Sequence, residues 1–259
     1  MIQTQINKKR VEQSFKKSIN SYNKHAVVQK QLCNTLLKAL IDKCGTSFPQ
    51  VLEIGAGTGL LTEKLIHSIA IKDLYLNDLV VSMQTTLEEI CNSQKAINTN
   101  FVMGDAEMLS FIPNNNLIIS TSTVQWFENI SLFFTTIIKQ LLTPSGVFAF
   151  STFGPDNMME ISSIEGNTLH YPALVDLQTM LEPDFDIIWK KEELISIYFN
   201  TPMDVLMHIK QTGVNGIEST HWTKKDVQRF CDSYSEYFIE GKGYKLSYHP
   251  IYIIVIKRQ

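Results

Sequence analysis

Glu53 stands two residues before a glycine run, in Val51-Leu52-Glu53-Ile54-Gly55-Ala56-Gly57-Thr58-Gly59. Without a Cβ, each glycine lets backbone and ligand approach closely, and each tolerates positive φ in a tight turn. The spacing is G-x-G-x-G, not the G-x-G-x-x-G of a dinucleotide fingerprint, and no Lys-Ser/Thr pair follows as in a phosphate-binding loop. A carboxylate at the end of the preceding strand would repel a pyrophosphate and attract a cation. The chemistry expected of this turn is therefore recognition of a cationic ligand without phosphate. The alternative is a tight turn of purely structural use.

Further polar residues fall at the ends of later apolar runs. Asp78 closes Leu74-Tyr75-Leu76-Asn77-Asp78 and is placed to accept two hydroxyls of a ribose; Asn77 is the alternative one register away. An Asp that merely caps the next helix is the competing role. Asp105 and Ala106 lie in Gly104-Asp105-Ala106-Glu107, after the next run. Gln125 and Trp126 follow the fourth run, in Ser122-Thr123-Val124-Gln125-Trp126-Phe127. A tryptophan is as readily a core residue as a site residue.

These residues need a scaffold that brings strand ends together. Short apolar runs at Val51–Ile54, Leu74–Asn77, Asn100–Met103, Leu117–Thr121, Val147–Ser151, Phe185–Trp189 and Ile251–Ile256 alternate with helical patterns, such as Ser131–Leu142 with Phe134, Ile137, Ile138 and Leu141 on one face. That alternation predicts an α/β fold with a largely parallel sheet and helices on both sides. Residues 1–45, with Val28, Leu32, Leu36 and Leu40 at every fourth position, read as an amphipathic helical segment. The remainder, 46–259, reads as the main domain with an insertion around 155–248. Two helices there have clear starts: Thr201-Pro202-Met203-Asp204, and Thr223-Lys224-Lys225-Asp226 followed by Val227, Phe230, Tyr234 and Phe238. These surplus helices and the N-terminal one are expected to form a lid over the carboxyl edge of the sheet.

Composition excludes several classes. The 259 residues carry a net charge of −3, which argues against a nucleic-acid footprint. The four cysteines are scattered without a C-x-x-C, so neither a zinc site nor a disulfide framework is expected, and no metal is assigned. No apolar run approaches the ~20 residues of a membrane span and no signal peptide is recognisable, so a cytoplasmic location is expected.

The glycine run resembles motif I of the class I S-adenosylmethionine-dependent methyltransferases. That ligand carries a sulfonium and an ammonium and no phosphate, which agrees with the chemistry above. The resemblance implies a Rossmann-like seven-stranded sheet whose last strand is antiparallel. It assigns cofactor binding to Glu53, Gly55, Gly57, Gly59, Asp78, Asp105 and Ala106, with Asp105 taking the adenine amino group. The product would be S-adenosylhomocysteine.

A narrower resemblance rests on Ser151-Thr152-Phe153-Gly154-Pro155-Asp156-Asn157 with Glu160, on Thr212-Gly213-Val214-Asn215-Gly216, and on Phe15, Tyr22, His25, Ala26 and Gln29. Together these resemble the malonyl-acyl-carrier-protein O-methyltransferases of early biotin synthesis, over about Val11 to Lys257. Ala56 stands where many members have Cys. The resemblance implies methyl transfer to the free carboxylate of a malonyl thioester, on acyl carrier protein or coenzyme A, with Tyr22, His25, Gln125 and Trp126 at the catalytic end. A carboxylate is already ionised at neutral pH, so the absence of a Ser-His-Asp, Cys-His or metal cluster is compatible with this chemistry. An acidic carrier would want a basic dock, for which Lys8, Lys9 and Arg10, or Lys224, Lys225 and Arg229, are the candidates; either cluster alone also reads as solvated surface. A small carboxylic acid or a quinone is the alternative substrate, and a phenol would require a base such as His25. A non-catalytic ligand-binding module is the third reading.

Overall fold

The computed structural model describes residues 6–166, 169–213 and 222–259. Val214, Asn215, Gly216 and His221 lie outside the described residues. The chain begins with two helices, α1 (Lys8–His25) and α2 (Val27–Cys44), joined at Ala26. A strand–helix alternation follows: β1 (Gln50–Ile54), α3 (Leu60–Ser68), β2 (Asp73–Asn77), α4 (Met83–Cys91), β3 (Asn98–Phe101) and β4 (Asn115–Thr121). Beyond β4, a helical stretch comprises α5 (Ile130–Leu132), a π-helical turn (Phe133–Ile138) and α6 (Lys139–Leu141), and leads into β5 (Leu142–Phe153). Then come α7 (Met159–Glu165), α8 (Leu174–Leu181), β6 (Phe185–Glu192), β7 (Ile195–Phe199), α9 (Pro202–Gln211), α10 (Lys224–Tyr237), β8 (Ile239–Glu240), β9 (Gly243–Tyr248) and β10 (Pro250–Lys257).

Seven strands form one sheet in the order β3-β2-β1-β4-β5-β10-β6. β10, the last strand in the chain, runs antiparallel to both neighbours, whereas β1, β2, β3, β4 and β5 pair in parallel. Successive side chains of a strand point to opposite faces. In β5, Val147, Ala149 and Phe153 enter the core beneath α2 and α3, while Phe148 and Phe150 enter a second core with Phe134 and Leu177. Such strands are apolar on both faces because helices cover both. α8 belongs to this scaffold rather than to a lid: its Leu177 and Leu181 are buried in the second core.

The insertion holds more than helices. β7, β9 and β8 form a small antiparallel sheet, in the order β7-β9-β8, that sequence patterning did not anticipate. Its strands have only two to six residues each, and the pairing of β7 with β9 joins segments separated by α9 and α10, which local patterning does not specify. α9 and α10 begin at the expected caps, where Thr201 accepts from the amide of Asp204 and Thr223 from that of Asp226. Among the described residues, no helix is long and apolar enough to cross a membrane.

The chain leaves β1 in one direction to β2 and β3, and returns on its other side to β4 and β5. At that reversal the connections splay apart and open a crevice beyond the carboxyl ends of the strands, where open α/β sheets bind ligands.

Candidate active site

The glycine turn sits in this crevice, and its three glycines are needed for different reasons. Gly55 has φ +74°, and a Cβ there would lie 2.0 Å from Thr123 Oγ1. Gly59, at φ +81°, begins α3 against Ile90, whose Cδ1 would lie 2.3 Å from an added Cβ. Gly57, at φ +54°, has no atom within 4 Å of its missing Cβ. The turn is thus packed on two sides and open at its centre, which suits close approach of a ligand to backbone.

Around it, about 970 Å³ of atom-free space, counting the solvent-facing mouth, is bounded by the loops after β1, β2, β3 and β4. α1 supplies the roof through Val11, Phe15, Ser18, Ile19 and Tyr22. Thr58 of the glycine turn donates to the side chain of Asn23, which ties the roof to the turn.

Asp78 lines this space at the end of β2. Its Oδ2 accepts from the amide of Gly57 at 2.7 Å and its Oδ1 from that of Val80 at 2.8 Å. Burial raises its pKa, and the two amides oppose that shift. Asn77 also borders the cavity, but its side-chain amide donates to the carbonyls of Val102 and Gly104. The structure therefore puts the free acceptor capacity on Asp78.

Asp105 and Ala106 line the same space. Both oxygens of Asp105 accept from Lys8 Nζ at 2.6 Å. The same ammonium pairs with Glu107 and lies 5.9 Å from the centroid of the Phe127 ring. Glu107 in turn accepts from the amides of Glu128 and Asn129. One lysine of α1 thus joins the roof to the loops after β3 and β4.

Tyr22 and Trp126 border the cavity. Burial pushes the Tyr22 phenol well up, so it remains a protonated donor. Trp126 is 8% exposed, packs edge to face on Phe15 at 5.7 Å between ring centroids, and has no hydrogen-bond partner for its indole N–H. The other residues fall elsewhere. Glu53 is buried beneath the glycine turn, accepts from Thr62 Oγ1 at 2.7 Å, and does not line the cavity. Burial pushes its carboxyl up to about 8. His25 ends α1 outside the cavity. Gln125 lines an adjoining cavity with Phe127 and His170, donates to the carbonyl of Ser122 and accepts from Thr152.

Gln29, from the N-terminal set read in the sequence, borders the site too, with Ser122 and Cys33, to which the sequence assigned no role. Gln29 Oε1 and Ser122 Oγ are buried without a partner, and Ser122 adopts φ +54°. Non-glycine residues seldom adopt this left-handed conformation. Cys33 borders the cavity too, its thiol raised to about 11 by burial. Nothing local in the sequence distinguishes Lys8 from Lys9. The segment after β5 has an architectural use: Gly154 N–H donates to the carbonyl of His249, and Glu160 of α7 accepts from the amide and hydroxyl of Ser247 in β9, tying α7 to the small sheet. Thr212 and Gly213 end α9 against α1; a Cβ on Gly213 would lie 2.8 Å from Ser18 Oγ.

The cavity offers the groups a nucleoside-like cation would need: carboxylates past β2 and β3, an open glycine turn past the neighbouring β1, and unpartnered polar atoms past β4. Its polar atoms and shape fit S-adenosylmethionine. A family model described as a methyltransferase domain matches residues 52–150. The malonyl-[acyl-carrier protein] O-methyltransferase of Bacteroides thetaiotaomicron is 38% identical over 264 residues, covering 98% of this chain and 100% of that one. A methyltransferase structure from Bacillus halodurans superposes with a TM-score of 0.65 at 14% identity, over 86% of this chain and 99% of that one. The N-methyltransferase NodS of Bradyrhizobium japonicum, solved with S-adenosylhomocysteine, gives a TM-score of 0.57 at 14% identity, over 96% of this chain and 100% of that one. These two structures share the class I methyltransferase fold with this chain.

Proposed function

Because the chain belongs to the malonyl-[acyl-carrier protein] O-methyltransferases, we propose that it transfers a methyl group from S-adenosylmethionine to the free carboxylate of malonyl-acyl carrier protein. The ester formed would prime pimeloyl assembly for biotin. The observation that carries the substrate assignment is likeness to that family across the whole chain, lid included. Residues 52–150 alone would support only methyl transfer, because α1, which roofs the crevice, and α9, which packs against α1, lie outside them.

S-adenosylmethionine supplies an electrophilic methyl group when bound. The chain's residues do the rest. Asp78 accepts from the ribose, Asp105 and the amides around Ala106 take the adenine, and the glycine turn admits the ligand against its backbone. Glu53 acts from beneath, by holding α3 to β1 through Thr62. The substrate carboxylate needs no base, since it is ionised at neutral pH. It needs donors and a dry surround. Trp126 and Tyr22 supply neutral donors, and α1 excludes water. Lys8 is a cation in the lining, but Asp105 and Glu107 engage it. A carboxylate held by neutral donors keeps more of its nucleophilicity than one neutralised by an ion pair. His25 and Gln125 then serve position: His25 at the end of the roof helix, Gln125 by fixing Ser122 against Thr152.

The test is turnover of S-adenosylmethionine to S-adenosylhomocysteine with malonyl-acyl carrier protein, malonyl-coenzyme A, free malonate and a quinone phenol compared. Malonyl thioesters should be the better substrates, with no loss of rate between pH 6 and 8 attributable to an essential base. Faster methylation of malonate or the phenol would replace this reading by the small-molecule one.

A further inference from the structure

α1 has two faces of opposite character. At about 100° per residue, Lys8, Val11, Phe15, Ser18, Ile19 and Tyr22 fall on one side, and all six line the cavity. Lys9, Arg10, Lys16, Lys17 and Lys24 fall within an arc of about 120° on the other side. All five are exposed, and among the described residues none of them makes an ion pair. Glu12 is the single acid of the helix and is half-buried off that arc.

This concentration is not a property of the whole surface, since the chain carries a net charge of −3. The alternative basic cluster does not match it. In α10, Lys224, Lys225 and Arg229 are balanced by Asp226, Asp232 and Glu236, and Arg229 pairs with Asp226 at 3.7 Å. A like-charged stripe costs stability through self-repulsion, and complementary charge on a partner relieves that cost while steering its approach.

We propose that the outer face of α1, through Lys9, Arg10, Lys16, Lys17 and Lys24, is the docking surface for an acidic carrier protein that delivers the acyl group. This rests on the reading above that the substrate is carrier-bound. The partner binds the outside of the helix whose inside roofs the cavity. Docking is thereby coupled to the roof, and the carrier is held beside the opening its acyl arm must enter. Lys8 belongs to the other face and takes no part in docking.

The experiment compares kcat/KM for malonyl-acyl carrier protein and for malonyl-pantetheine, a thioester with the same reactive end and no protein. In the triple variant K16E/K17E/K24E, kcat/KM for the carrier-bound substrate should fall by about ten-fold or more, mainly through KM, while that for malonyl-pantetheine stays within about two-fold. Added salt should weaken the wild-type carrier reaction far more than the pantetheine reaction, because exposed charges are screened beyond ~10 Å at 0.1 M. The control K224E/K225E/R229E should leave both substrates unchanged. Carrier kinetics unaffected by the α1 changes, or lost equally in the α10 control, would overturn the docking surface. Should the triple variant fold poorly, K16Q/K17Q with hydrogen exchange of the wild-type helix in the presence of unacylated carrier decides the matter: protection confined to residues 8–25 supports the dock, and none refutes it. If the wild type methylates neither thioester, the reading of the substrate fails instead.

Discussion

Lys8 of the roof helix grips Asp105 of the crevice floor, its ammonium 2.6 Å from both carboxylate oxygens. These residues are 97 positions apart in the chain. The pair converts a separate N-terminal helix into a wall of the cavity, and it occupies a carboxylate assigned to the cofactor.

Lys8→Gln should loosen the latch. Hydrogen bonds to charged groups contribute roughly 1.5–3 kcal/mol, and partial exposure of this pair places the effect at the low end. Dissociation of S-adenosylhomocysteine, followed by stopped flow, is expected to accelerate by about ten-fold. The wild-type rate should rise with salt more than the variant's. An unchanged rate would show that α1 is held by its apolar face alone.

Asp78→Ala should weaken S-adenosylmethionine by about ten- to a hundred-fold in calorimetric titration, through loss of a charged acceptor worth roughly 1.5–3 kcal/mol. It should also lower Tm, because the amides of Gly57 and Val80 lose their acceptor. Asp78→Asn keeps one carbonyl acceptor and should recover part of both losses. Unaltered affinity in the alanine variant would remove Asp78 from the ribose site.

The glycines separate stability from binding. Gly55→Ala places a Cβ on Thr123 at a positive φ, so thermal unfolding should show a large loss of stability. Gly57→Ala meets no protein atom and should cost only about 1–2 kcal/mol for its φ. Its Cβ would, however, stand in the ligand space. A folded Gly57→Ala protein that bound S-adenosylmethionine normally would contradict the assignment of that space.

Glu53 links stability to pH. Its carboxyl rises from 4.5 in the unfolded chain to about 8 in the fold, through burial. Between those values the folded state holds a proton that the unfolded state releases. The contribution is fully present below about pH 4.5 and is lost as pH rises through about 8. Glu53→Gln, neutral throughout, should flatten the fall in Tm between pH 5 and 8. A parallel pH profile for variant and wild type would place the ionisation elsewhere.

Much of the scaffold was legible in the sequence because its signals are local. The glycine spacing and the caps at Thr201 and Thr223 depend on a few neighbouring residues and stand as read, and the main-sheet strands lie where expected with ends displaced by up to a few residues, as in β3 at Asn98–Phe101 and β5 at Leu142–Phe153. The small β7-β9-β8 sheet escaped although Tyr244, Leu246 and Tyr248 alternate with Lys245 and Ser247, because alternation over so few residues does not say which strands will pair. The break at Ala26 escaped because the apolar repeat that marks α2 says nothing of where α1 begins.

Within the site, residue type and spacing identified Asp78, Asp105 and the glycines as the ends of successive strands. That placement follows from chain order in a parallel sheet, where every βα turn returns to the same edge. Tertiary structure alone decided which side chains face the cavity. It turned Glu53 down toward Thr62, aimed Lys8 inward while Lys9 stayed in solvent, and left Gln29, Ser122 and Trp126 with buried, unpartnered polar atoms. Glu53 meets Thr62 only nine positions on, but Lys8 meets Asp105 97 positions away, and Trp126 packs on Phe15 of the distant α1. Local pattern specifies the face of an element, and only packing against distant elements determines what that face meets.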